Sequence, residues 1–220
     1  MSATRDGSLN SLELKGDLEL RITDPAFTQL AIQVSPSSAS SIIPTSALQF
    51  KTHPHVDKAG WAESRQVRLR DVKKPFPVRQ NLGVLRWRGT TKDETCVPLS
   101  VQCWPSPAED GSGACDVMIE FELEATSLSL KNVVIAIPLP EGVEPSVEAP
   151  ENGVTEILED SIEWHIEEIS EESGVTSGQL EIKVSEGAQD ADVFFPVAID
   201  FVSEKTMGEI AVSRREDQPI

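Results

Sequence analysis

Apolar residues recur at every second position along most of the chain, the spacing that gathers them on one face of a β-strand. The alternation runs through Leu18-Leu20-Ile22, Leu30-Ile32-Val34, Val67-Leu69, Leu85-Trp87 and Val97-Leu99-Val101-Cys103. It resumes in Val117-Ile119-Phe121-Leu123, Val133-Ile135-Ile137, Ile162-Trp164-Ile166, Leu180-Ile182-Val184, Val197-Ile199-Phe201 and Ile210-Val212. Turn-forming clusters separate these runs at Lys15-Gly16-Asp17, Asp110-Gly111-Ser112-Gly113, Glu141-Gly142, Glu151-Asn152-Gly153, Ser173-Gly174 and Glu186-Gly187. No helical period persists beyond two turns, and the spread of 15 prolines disfavours long helices. The pattern predicts an all-β chain of antiparallel strands, each with one buried and one solvated face. The serine-rich stretch 35–46 reads as a surface loop.

Charge sharpens this picture once it is divided by position. The 220 residues carry a formal charge of −18, which disfavours nucleic acid and anionic lipid as general partners. Residues 1–104 nevertheless hold 14 Lys/Arg against 10 Asp/Glu, and residues 105–220 hold 5 against 27. The break between about Thr90 and Cys115 marks a candidate domain boundary. Within the basic half, Lys51 to Lys92 carries 11 cations and only Asp57, Glu63 and Asp71 as anions, with Trp61, Phe76 and Trp87 interleaved. Read as strands, Arg68 and Arg70 share a face opposite Val67 and Leu69, and Arg86 and Arg88 one opposite Leu85 and Trp87. Such a surface is either a solvated outer face or an electropositive groove for an acidic peptide or a neighbouring subunit.

Other candidate chemistry is sparse. In an extended segment His53, His55 and Asp57 fall on one side, but no further metal ligand accompanies them, so no metal and no cofactor is expected. Cys96, Cys103 and Cys115 are an odd set without framework spacing, and Cys103 reads as a buried apolar residue. Glu167-Glu168 and Glu171-Glu172 read as a solvated acidic face. No nucleophile elbow or phosphate-cradling glycine loop occurs, so no catalytic residue is assigned. No run approaches the roughly 20 apolar residues of a membrane span, and no signal-peptide core is present. A reduced, cytoplasmic setting is expected.

Several segments in order resemble a known family. They are Leu12-Glu13-Leu14-Lys15-Gly16 with Leu18, Leu20-Arg21-Ile22; Thr52-His53-Pro54 with Val56-Asp57-Lys58; Phe76-Pro77-Val78; and Gly83-Val84-Leu85 with Trp87-Arg88. Pro98-Leu99, Cys103-Trp104-Pro105, Cys115-Asp116-Val117, Val133-Val134-Ile135, Ile137-Pro138-Leu139-Pro140, Phe194-Phe195-Pro196-Val197 and Phe201-Val202-Ser203 follow. Across residues 9–212 the chain resembles the μ-homology domains of coatomer (COPI) δ subunits, relatives of clathrin-adaptor medium chains. The resemblance implies an elongated pair of antiparallel β-sandwich subdomains, the second inserted into the first: residues 9–94 plus 208–220 as subdomain A and 95–207 as subdomain B. It implies a non-enzymatic adaptor in retrograde Golgi-to-ER transport, cytoplasmic and peripheral on Golgi membranes and COPI vesicles, meeting membrane only through the coat. Implied partners are other coatomer subunits and tryptophan-containing motifs in acidic segments of an ER tethering complex subunit and of ArfGAP proteins.

The positions expected to read acidic flanks of such motifs are Lys51, Arg68, Arg70, Lys73, Lys74, Arg86 and Arg88. The alternative is a structural coat domain whose basic face packs on other subunits. Departures from the family bear on this. The family continues beyond this C-terminus, so a missing final strand and an exposed edge are expected. The Trp/Arg pair that reads tyrosine motifs on those strands has no counterpart here, and tyrosine-motif binding is not carried over. The 35–46 loop reads as an insertion, and the δ subunit's longin-like half is not represented.

Overall fold

The computed structural model describes residues 1–4, 8–36, 42–140 and 142–214. The middle of the serine-rich stretch (37–41), Glu141 and the terminal Gln218-Pro219-Ile220 lie outside the described residues. In chain order the strands are β1 (Ser2–Ala3), β2 (Leu9–Arg21), β3 (Ile32–Pro36), β4 (Leu48–Thr52), β5 (Gln66–Val67), β6 (Asn81–Thr91), β7 (Leu99–Pro107) and β8 (Cys115–Leu123). They continue with β9 (Leu130–Pro138), β10 (Ser146–Val147), β11 (Val154–Ile157), β12 (Ser161–Ile169), β13 (Ser177–Val184), β14 (Ala198–Val202) and β15 (Ile210–Arg214). The α-helix α1 (Lys58–Ser64) lies between β4 and β5. The all-β, antiparallel architecture expected from the alternation is the one found. Two compact units emerge. One comprises Met1–Ser2, Ser11–Lys92 and Thr206–Ile220, and the other Ala3–Asn10 and Asp93–Lys205.

The first unit contains the sheets β1-β2-β6-β4 and β15-β3-β5. Residues of these sheets, of α1 and of the connecting segments meet in one core of Ile22, Val34, Val56, Trp61, Val67, Phe76, Val84 and Leu85. Lys15-Gly16-Asp17, expected as a turn, instead runs through the middle of β2, where Gly16 is paired with Trp87. The glycine is needed for packing: a Cβ there would lie 2.3 Å from the indole of Trp87. Missing side-chain bulk, and not a reversal of direction, is what places glycine there. The helix α1 starts where Asp57 accepts from the Ala59 N–H at 3.1 Å, and ends at Arg65 with φ +56°. Its single apolar anchor, Trp61, packs on Phe50 with ring centroids 5.4 Å apart.

The second unit pairs β10-β13-β8-β7 with β11-β12-β9-β14. Every second residue of β8, Val117, Ile119 and Phe121, is buried, as are Val133, Ile135 and Ile137 of β9 and Ile162, Trp164 and Ile166 of β12. The sheets meet through Phe121 and Trp164, whose ring centroids are 5.2 Å apart. Burying a tryptophan requires its N–H to be satisfied. The Trp164 indole donates to the Asn152 carbonyl at 2.8 Å. The adjoining Gly153 has φ +84°, and a Cβ on it would sit 2.2 Å from the His165 carbonyl oxygen, so the turn admits glycine alone.

Candidate functional site

Two clefts mark the first unit, and Asp57 lines both. The larger, about 880 Å³, has apolar walls from Leu20, Phe27, Leu30, Leu69, Val72 and Val212, with Arg21 and Arg68 among its polar groups. Local hydrogen bonds hold these walls. Asp24 accepts from the Ala26 N–H at 2.9 Å and starts the short 3-10 turn that presents Phe27. The Gln29 amide donates to the Val72 carbonyl at 3.2 Å, and the Phe76 N–H to the Thr28 carbonyl at 2.9 Å, tying one wall to the other. Asp71 accepts from the Lys73 N–H at 3.0 Å, closing the turn that exposes Val72, Lys73 and Lys74. Phe27, Val72 and Val212 remain 43 %, 53 % and 50 % exposed. Large apolar side chains left in a concave wall are the ordinary composition of a binding cleft.

The smaller cleft, about 690 Å³, is floored by Phe50, Val56 and Trp61 and rimmed by Lys51, Lys58 and Arg70. The Arg65 guanidinium lies 5.3 Å from the centre of the Trp61 ring, a cation–π contact. Between the clefts' polar groups, Asp57 accepts from Arg68 through Nε at 3.0 Å and Nη2 at 2.8 Å. The Arg68 hydrogen bonds, followed by the Gly60 and Ala59 N–H groups, hold the Asp57 carboxyl below the usual aspartate range.

The expected cations divide among four places. Arg68 lines the larger cleft, but its guanidinium is engaged by Asp57. Lys51 and Arg70 line the smaller one, and Lys73 and Lys74 are exposed on the turn after Val72. Regular strand pairing ends at Val67, and Leu69 makes only an isolated bridge to Val56, so Arg68 and Arg70 do not form a strand row. Arg86 and Arg88 do lie on one face of β6. There Arg86 stands between Asp17 and Lys51, and Arg88 between Lys15 and Gln49. Arg88 is ion-paired with Glu13. The cation count along 51–92 misses these β2 carboxylates because they are distant in sequence and adjacent only through register. Phe27, Val72 and Arg21 were not expected as site residues from sequence, although Asp24 before Pro25 is a residue pair that starts such a turn.

Other candidate groups are committed to structure. His53 Nδ1 accepts from the His55 N–H at 3.1 Å, and the two rings stand perpendicular at 5.0 Å. Burial, and then the neighbouring His55 charge, push the His53 imidazole down. Together with Asp57 they do not converge as a ligand cluster among the described residues. All three cysteines are buried, and burial raises the Cys96 and Cys115 thiols above their ordinary range, opposite to the shift of an activated thiolate. The second unit carries a cleft of about 720 Å³ lined by Glu120, Glu122, Glu148 and Glu181, of the wrong sign for an acidic ligand.

Residues 1–215 match the adaptor complexes medium subunit family. The chain belongs to that family. Its fold is the one seen in yeast δ-COP: the yeast delta-COP-I μ-homology domain superposes with a TM-score of 0.75 at 30 % identity, covering 96 % of this chain and 82 % of the yeast one. A second structure of that yeast domain, complexed with a Dsl1 WxWxV peptide, superposes with the same TM-score at 29 % identity and the same coverage. The probable coatomer subunit delta of Caenorhabditis elegans is 33 % identical over 212 residues, 96 % of this chain. This medium-subunit-family chain spans about two-fifths (39 %) of that relative's length. No helix among its described residues is long and apolar enough to cross a membrane.

Proposed function

We propose that this chain is a non-enzymatic peptide-binding module of a COPI-type coat, taking short tryptophan-containing motifs set in acidic, flexible segments. The observation that carries this reading is the apolar cleft of about 880 Å³ in the basic unit, with Phe27, Val72 and Val212 left exposed in its walls. Indole burial in such a cleft supplies most of the affinity. Lys73 and Lys74 beside it, with Lys51 and Arg70 at the smaller cleft and Arg86 paired with Lys51 across the strands, attract the acidic flanks. Arg68 serves chiefly to order Asp57, and Arg88 is partly neutralised by Glu13. The yeast relative solved with a WxWxV peptide supports this ligand class.

By the same reading the chain works at Golgi membranes and on COPI vesicles in retrograde transport, beside other coatomer subunits, and meets motifs of tethering factors and ArfGAP proteins. Two titrations test the ligand class: an acidic peptide with two closely spaced tryptophans, and the same peptide with both changed to alanine. The expected result is a loss of at least tenfold in affinity for the alanine peptide. Equal affinity contradicts the proposal and leaves the basic face as a packing surface for other subunits.

A further inference from the structure

The outer face of the β11–β12 hairpin, in the second unit, gathers three ligand-type side chains that play no part in peptide binding. Register sets Glu156 directly opposite Glu163 and Val154 opposite His165. Alternation along β12 puts Glu163 and His165 on the same face, with Ile162, Trp164 and Ile166 buried on the other. One carboxylate oxygen from each glutamate and one imidazole nitrogen all lie within 4.8 Å of one another. His165 Nε2 stands 3.0 Å from a Glu163 oxygen and 3.9 Å from a Glu156 oxygen. That nitrogen atom is closed off from water and makes no hydrogen bond despite the 3.0 Å approach, while the His165 side chain as a whole is 37 % exposed.

Two features of this arrangement want a cation. Like charges directly opposite on an antiparallel pair repel, and among the described residues it is His165 that stands against both carboxylates, with no lysine or arginine ion-paired to either. A water-excluded imidazole nitrogen without a hydrogen-bond partner carries a desolvation cost that a coordinate bond removes. We propose that Glu156, Glu163 and His165 form a surface site for a divalent transition-metal ion of the zinc class, its remaining position taken by water. One nitrogen and two oxygens suit such an ion at about 2.0–2.2 Å, whereas magnesium and calcium favour all-oxygen sets. Ligands of a tetrahedral ion stand roughly 3.4 Å apart. Glu156, 64 % exposed, has the rotational freedom to close the remaining gap. Bound there, the ion fastens the short edge strand β11 to β12. The set escapes a sequence motif because Glu156 and His165 are brought together by strand register and not by local spacing.

The test uses the full chain stripped with chelator and titrated calorimetrically with Zn²⁺, then with Mg²⁺, in wild type and in the Glu156→Gln, His165→Gln and His53→Gln variants. The expected result is one Zn²⁺ per chain, no competition by Mg²⁺, and affinity reduced at least tenfold by Glu156→Gln and by His165→Gln. Both variants should keep the wild-type thermal midpoint in chelator, which separates lost ligation from lost folding. Affinity unaffected by His53→Gln supports the site. No heat up to millimolar Zn²⁺, undiminished binding in His165→Gln, or binding abolished by His53→Gln overturns it.

Discussion

Val72 keeps more than half its surface in water at the wall of the larger cleft, held there by the turn closed on Asp71 and by the Gln29 bond to its carbonyl. Val72→Glu therefore costs the fold little, within about 0.5 kcal/mol as for most exposed positions. It should weaken an acidic tryptophan peptide at least tenfold, by titration, because it places a like charge in the wall proposed to take the indole. Asp57 carries a different burden, capping α1 and orienting Arg68. Asp57→Ala should lower stability by about 1 kcal/mol, the usual worth of an N-cap, in urea unfolding near neutral pH. The pH dependence has a definite sign. The folded-state carboxyl is held below its ordinary value, so its contribution is full above the unfolded aspartate pKa and is lost as pH falls through the folded one. Wild type and variant should therefore converge in acid.

At the scale of elements, the long strands were legible because alternation survives wherever one face is buried. The β8 sequence Val117-x-Ile119-x-Phe121 and the β12 sequence Ile162-x-Trp164-x-Ile166 point inward as read. Shorter elements left too little pattern. The strand β11 is exposed along most of its length, and α1 has seven residues with Trp61 as its one buried side chain of any size. Gly16 misled because glycine marks a turn by backbone freedom, whereas here it marks close approach of an indole. The candidate site was legible as charge and not as shape. Its cations stood out in one segment, while the cleft draws walls from Leu20, Phe27, Val72 and Val212, which only the fold brings together. In the second unit, Trp164→Ala should cost about 3–5 kcal/mol, and chemical denaturation would measure it.

The whole molecule is electrically divided. The first unit holds 15 Lys/Arg against 10 Asp/Glu, a net of +5, and the second 4 against 27, a net of −23, which together give −18. An acidic peptide is thus attracted by one unit and repelled by the other, and the bulk charge hides the distinction. Affinity for an acidic-flanked tryptophan peptide should fall as salt rises, while a peptide with neutral flanks should bind more weakly and show little salt dependence. Titrations across ionic strength check this. The proposed docking in the first unit is tested most directly by amide chemical-shift mapping of the labelled chain with that peptide. Shifts should concentrate at Leu20–Ile32, Leu69–Lys74 and around Val212, and be lost in Val72→Glu. Shifts confined to the second unit, or unchanged by that substitution, would exclude docking in this cleft.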